Sequence, residues 1–179
     1  MAYSRYPHLH RDKVVFVADE DLWLGDLGGG RAARITMGES TPVNPRFSGD
    51  GTRIAFTATT NGGWDCYVVD PDGGTRRLTW LSARRMKISG WLDDGHILLC
   101  SDHEGIHRVD ASLYSLSLDG KLRRLPWGIG TAAAVSPSGR VAVASANFRD
   151  PKVFWYDGGK KGSYWVMVAV EAAERRAAG

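Results

Sequence analysis

The sequence predicts an all-β fold, a partial β-propeller of about three and a half four-stranded antiparallel blades, and three observations carry that prediction. Gly51, Gly95 and Gly139 stand 44 residues apart (51 to 95, 95 to 139), each closing a short polar turn. Each turn feeds a strand-like run: Arg53-Ile54-Ala55-Phe56, His96-Ile97-Leu98-Leu99 and Arg140-Val141-Ala142-Val143. Each unit then ends on a related stretch, Arg34-Ile35-Thr36, Arg77-Leu78-Thr79 and Arg124-Leu125-Pro126. A period of about 40 to 50 residues made of short strands is the spacing of propeller blades.

The elements follow in order once the Asp-Gly turn is taken as the link between an inner strand and its neighbour. The first unit reads Lys13 to Val17, Asp21 to Leu27 and Ala33 to Thr36, with its inner strand missing or supplied by residues 3–10. The second is Pro42 to Phe47, Arg53 to Thr57, Asp65 to Val69 and Arg76 to Trp80. The third is Met86 to Trp91, His96 to Ser101, Ser112 to Leu118 and Leu122 to Trp127. A fourth begins with Ala132 to Ser136, continues through Val141 to Ala146 and Tyr164 to Val170, and stops. The expected organisation is one propeller unit over residues 1–170, with blades at about 3–41, 42–85, 86–131 and an incomplete 132–170. Residues 171–179, rich in alanine and charge, form a tail read as a short helix or a frayed end. A closed propeller needs about four to eight blades. The chain is therefore expected to be an arc whose terminal blades leave apolar faces and a strand edge to be covered.

Composition excludes several classes. The chain has 43% hydrophobic residues, and no apolar run approaches the ~20 residues of a membrane helix. No apolar segment follows Met1-Ala2-Tyr3-Ser4-Arg5, so no secretory signal is expected and a cytoplasmic location is. A formal charge of +3, with basic residues scattered among carboxylates, does not describe a nucleic-acid surface. The two cysteines, Cys66 and Cys100, lie in alternating strand patterns and read as buried free thiols, since metal or redox pairs come with short spacings.

Candidate chemistry is sparse. His103 and His107 stand four apart, the spacing of a helical metal pair, but Gly105 between them makes a hairpin loop the better reading. His8, His10 and Asp12 are explained by an N-terminal strand with alternate side chains on one face. No Gly-x-Ser-x-Gly elbow is present, and no catalytic residue, metal or cofactor is expected. Gly28-Gly29-Gly30 and Gly158-Gly159 lack the strand-to-helix context of a phosphate loop and read as turns. The seven tryptophans, Trp23, Trp64, Trp80, Trp91, Trp127, Trp155 and Trp165, read mainly as packing between blades, with one or two at loop tips. Arg84 and Arg85 immediately precede the inner strand of the third blade, where a loop opens near the central channel. Paired guanidiniums can hold a carboxylate in fork geometry, although the residues by themselves favour a solvated or salt-bridged pair.

Read in order, Tyr6-Pro7-His8-Leu9-His10, Asp21-Leu22-Trp23, Asn44-Pro45-Arg46-Phe47-Ser48, Arg77-Leu78-Thr79-Trp80, Arg84-Arg85-Met86 and Gly90-Trp91 resemble the start of the tricorn protease family. Phe148-Arg149-Asp150-Pro151, Trp155, Gly158-Gly159, Gly162 and Trp165 extend the likeness, which covers about residues 3–166. Pieces such as Ser-x-Asp-Gly before Ile-Ala-Phe are shared with Tol-type propellers; the ordered set is more specific. The resemblance implies the first half of a six-bladed N-terminal propeller lying over a peptide route in a self-compartmentalising serine peptidase. It implies no catalytic residue within this stretch, and it assigns Arg84 and Arg85 to anchoring the substrate's C-terminal carboxylate. The expected partners are oligopeptides and either the remainder of a larger peptidase or a second copy of the chain. A stand-alone interaction module of Tol type is the alternative.

Overall fold

The computed structural model describes residues 3–38, 40–70, 72–105, 111–144 and 164–167, and these form strands and turns with no helix among them. The first sheet contains β1 (Arg5–His10), β2 (Lys13–Ala18), β3 (Asp21–Asp26) and β4 (Ala33–Arg34). The second contains β5 (Pro42–Phe47), β6 (Ile54–Thr60), β7 (Gly63–Val69) and β8 (Thr75–Arg77). The third contains β9 (Met86–Asp93), β10 (His96–Ser101), β11 (Ser112–Ser117) and β12 (Leu122–Ile129), and the fourth β13 (Ala132–Val135), β14 (Val141–Ala144) and β15 (Tyr164–Met167). Within each sheet the strands pair antiparallel in sequence order, so each is a meander. β1 fills the inner position that the sequence leaves open. The inner strands β1, β5, β9 and β13 contact one another in turn, which is the radial arrangement of a partial propeller.

The turns have the chemistry their geometry demands. Asn61 and Gly62 join β6 to β7 with φ of 51° and 83°, the left-handed pair of a type I′ hairpin. Gly51 and Gly139 adopt φ of 77° and 78°, and their N–H groups donate to the carbonyls of Ser48 (3.0 Å) and Ser136 (2.9 Å). Gly95, at the same place in the repeat, is not left-handed; its N–H donates to Asp93 Oδ1 at 2.7 Å. That frees the Asp94 carboxylate to accept the N–H of Asp50 in the preceding blade at 2.9 Å.

Alternating side chains build three apolar clusters, one at each junction between successive sheets. Val15, Val17, Leu22, Ile54, Phe56 and Val69 join the first and second sheets. Cys66, Val68, Leu78, Ile88, Ile97, Leu99 and Tyr114 join the second and third. Leu98, Cys100, Leu113, Trp127, Val141 and Val143 join the third and fourth. Each fully buried aliphatic or aromatic side chain contributes about 1.5–3 kcal/mol. Polar links add orientation. The N–H of Phe47 donates to Nδ1 of His8 in the first blade at 3.2 Å, and the carbonyl of Arg46 accepts from Nε1 of Trp91 in the third at 3.1 Å. These are the two halves of one peptide group, held from both sides.

The outer strands of the first two blades are shorter than the sequence predicts, and that of the third runs two residues further, to Ile129. β4 ends at Arg34, not Thr36, and β8 at Arg77, not Trp80, because the next side chains turn inward. Thr36 Oγ1 donates to Asp21 Oδ1 (2.8 Å) and accepts the N–H of Leu22 (2.8 Å). Thr79 Oγ1 donates to Asp65 Oδ1 (2.8 Å) and accepts the N–H of Cys66 (2.9 Å). Arg34 and Arg77 meet the other oxygens of Asp21 (3.5 Å) and Asp65 (2.7 Å). The N–H groups of Gly38 and Leu81 donate to Oδ1 of Asp21 (3.4 Å) and Asp65 (2.7 Å). One buried carboxylate thus ends the outer strand and redirects the chain in each of the first two blades. The expected continuation of the fourth blade to Ala146 and Val170, and the tail 171–179, lie outside the described residues.

Candidate functional site

The chain between β8 and β9 is held at four points, and Arg84 lies between the last two of them. Asp65 holds the Thr79 hydroxyl and the Leu81 amide, as above. Ala83 is buried and bridges to Trp64 through two backbone hydrogen bonds, Trp64 N–H to the Ala83 carbonyl (2.7 Å) and Ala83 N–H to the Trp64 carbonyl (3.1 Å). Ser82 takes a left-handed φ of 46°, and its backbone presses on Gly63 so closely that a Cβ there would lie 2.5 Å from Ser82 Cα. Arg85 is clasped by Asp102: its N–H donates to Asp102 Oδ1 (2.9 Å), and Asp102 N–H donates to its carbonyl (3.2 Å).

Between those anchored neighbours Arg84 is exposed, and among the described residues it makes no hydrogen bond or ion pair. Arg85 is half-buried beside it. The β10–β11 hairpin supplies the nearby polar groups. His103 Nδ1 lies 3.1 Å from Ser101 Oγ, and Tyr114 OH donates to Glu104 Oε2 at 2.8 Å. Burial lowers the pKa of His103. Burial, together with the Glu104 hydrogen bond, pushes the Tyr114 phenol up to about 12, so it stays a neutral donor. The arrangement presents an exposed cation on a connector whose backbone is held on both sides.

The remaining candidates have structural places. His8 and His10 pack against the Phe47 ring, with centroids 6.0 and 5.8 Å away. His8 Nδ1 is occupied by the Phe47 amide, and His10 Nε2 is buried without a hydrogen-bond partner among the described residues. Among those residues no three His, Cys, Asp or Glu side chains gather as a metal site. His107, the partner proposed for His103, lies outside them, as do Trp155 and Gly158-Gly159. Cys66 and Cys100 are buried free thiols in separate clusters. Burial raises both pKa values, that of Cys100 to about 12, which keeps it protonated. Trp127 is buried and Trp80 is 70% exposed, its ring 5.4 Å from the Arg77 guanidinium. No helix among the described residues is long and apolar enough to cross a membrane.

The sequence located Arg84 and Arg85 but missed Asp65 and Asp102, which hold the connector. Asp21 and Asp65 are themselves 44 residues apart (21 to 65), matching the repeat, and that spacing was the available signal.

Comparison with known proteins gives a consistent result. A family model described as the tricorn protease N-terminal beta propeller domain matches residues 1–177. Tricorn protease homolog 1 of Streptomyces coelicolor is 36% identical over 170 residues, covering 92% of this chain and 16% of that protein. A protein of Sulfurisphaera tokodaii, named as a Tricorn-like protease N-terminal subunit, is 29% identical over 171 residues, covering 92% of this chain and 86% of its own length. The crystal structure of the tricorn protease superposes with a TM-score of 0.82 at 26% identity, covering 92% of this chain and 17% of that one. The chain thus spans about a sixth of the long relatives and most of the short one.

Proposed function

Because the chain belongs to the family of tricorn protease N-terminal β-propeller domains, we propose that it serves a larger tricorn-type serine peptidase as a non-catalytic propeller segment. Its contribution is peptide access and the anchoring of a peptide's C-terminal carboxylate by Arg84 and Arg85. The observation that carries this reading is the connector: an exposed arginine flanked by backbone fixed on both sides. A carboxylate docking in its fork therefore orders only the side chain and not the chain around it, and charge-assisted hydrogen bonds of this kind are about twice as strong as neutral ones.

The test uses the assembled peptidase. Arg84→Ala combined with Arg85→Ala is expected to raise KM about 10- to 100-fold for short peptides with a free C-terminal carboxylate, the loss of about 1.5–3 kcal/mol of charged hydrogen bonding. C-terminally amidated versions of the same peptides are expected to change by less than about twofold. Equal losses for both series would remove the anchoring role.

A second reading concerns how the segment joins its partner. The Sulfurisphaera relative, of which this chain covers 86%, is named as a subunit, and docking of this segment on the remainder of the enzyme is the arrangement that name supports. Self-association, in which two copies cover each other's terminal blades, is the competing arrangement. Light scattering separates them: a monomer that becomes a complex only when the remaining subunit is added supports docking, and a dimer of the isolated chain supports self-association.

A further inference from the structure

A cleft of about 450 Å³ opens between the first and second blades, and the structure itself displays what fills the corresponding place one blade later. Its floor is the stacked pair Phe56 and Tyr67, with ring centroids 5.4 Å apart and planes at 18°, together with the buried Ala58 and Pro42. Thr60 and Tyr67 hydrogen-bond to each other at one side, and Met37, 86% exposed, stands at the mouth. Ser40, Thr59, Asn61 and Thr75 bring hydroxyl and amide groups to the rim, and among the described residues none that lines the cleft carries a charge.

Strand registers align the two junctions. Phe56 pairs with Tyr67 in the second blade as Leu99 pairs with Tyr114 in the third. The buried carboxylates align as well, because Asp21 accepts the Gly38 amide and Asp65 accepts the Leu81 amide. At the second junction Leu81 sends its side chain against the cluster containing Leu99 and Tyr114. At the first junction the equivalent residue is Gly38, which has no side chain, and the space stays open.

We infer that this cleft is a binding pocket for an uncharged aliphatic or aromatic side chain of a peptide segment, which enters where Leu81 sits one repeat later. The apolar floor takes the side chain, and the rim hydroxyls meet the amides on either side of it. A charged side chain meets no counter-charge among the described lining residues and is disfavoured by its desolvation cost. The site is separate from Arg84, so the loss of one leaves the other intact.

The test is ligand-observed saturation-transfer NMR on the full chain with N-acetyl-L-leucinamide and N-acetyl-L-phenylalaninamide, compared with N-acetyl-L-lysinamide. The two apolar probes are expected to bind saturably in the millimolar range, at least about tenfold more tightly than the lysine probe, as one methylene-rich side chain in an apolar pocket allows. Gly38→Leu fills the pocket from within and is expected to abolish binding. A Cβ at position 38 has room, since beyond the two chain neighbours it would come no nearer than 3.7 Å to another residue's atom. Gly38→Ala is expected to retain binding. Thr75→Trp, which closes the opposite rim from an exposed position, is expected to abolish it without altering residue 38. Binding of the lysine probe as tight as that of the apolar ones, no saturable binding of any probe, or undiminished binding to both Gly38→Leu and Thr75→Trp would overturn the inference.

Discussion

The second and third blades share their inner three strands and differ in how the outer strand ends. In the second, Tyr67 faces Arg77 across the ladder, and in the third Tyr114 faces Arg124, so the two arginines are equivalent. Two residues beyond, Thr79 bonds to the buried Asp65, whereas the third blade has Pro126, and Ser112 stands where Asp65 would be. Without the carboxylate to draw it inward, β12 runs on to Ile129, pairs again with Ser112, and buries Trp127 where the second blade exposes Trp80. The same repeat thus closes in two ways. The polar closure stops the strand early and throws the following chain across the end of the blade; the apolar one lets the strand continue. The connector that carries Arg84 follows the polar closure.

The largest expected effect is at the centre of that closure. Asp65→Ala removes a buried carboxylate, strands the half-buried Arg77 guanidinium and the buried Thr79 hydroxyl, and is expected to cost about 3–5 kcal/mol, read from urea unfolding. Ser112→Ala in the third blade is expected to cost about 1 kcal/mol. Similar losses at both sites would dissolve the contrast between the two closures.

Gly63→Ala sharpens the comparison by disturbing the connector and leaving the clamp in place. The added methyl group meets Ser82 backbone at 2.5–2.6 Å, so the connector must shift. A cost of about 1–3 kcal/mol is expected, with KM for free-carboxylate peptides rising in the assembled enzyme as Arg84 moves. Stability loss without any KM change would separate the clamp from the site.

The smallest effect compares junctions. Burial lowers the pKa of His8, with Arg46 and His10 adding to the shift, so the folded state favours the neutral ring that accepts the Phe47 amide. The stability this supplies is complete above the ordinary histidine value of about 6.5 and is lost as pH falls through the lowered folded value. Trp91, which serves the other side of the same peptide group, does not titrate. His103 shifts in the same direction and adds a background of the same sign, so a local measurement is needed. Amide exchange at Phe47, corrected for intrinsic rate, is expected to quicken below about pH 6 relative to Ala133, whose N–H donates to Ser89 Oγ. His8→Gln, which offers an acceptor that does not titrate, is expected to flatten the difference. A parallel response of both amides would assign the effect to global unfolding.

The repeat was legible because glycine spacing and β-branched runs are local properties, and so the sheets fall where the 44-residue period puts them. Arg-x-Thr was legible as a recurrence, but its meaning was not, since its partner is a carboxylate 12 to 15 residues earlier that only folding brings near. Gly95 shows the opposite failure. It holds its place in the repeat yet abandons the left-handed turn, because two adjacent aspartates offer the chain another way to close. Arg84 was located by its place before an inner strand; its exposure, and the half-burial of Arg85, depend on Asp102 and Ala83, which no local pattern marks.

The peptide group joining Arg46 to Phe47 sets an order of events during synthesis. Its N–H partner, His8, leaves the ribosome first, so the second blade can dock on the first as soon as its own strands are made. Its carbonyl partner, Trp91, follows 45 residues after Arg46, a delay of about 2–9 s at ordinary elongation rates of about 5–20 residues per second. For that interval the nascent arc ends in a half-secured blade with an open carbonyl and an uncovered apolar face. Growth of the arc is therefore directional: each new blade completes the one before it.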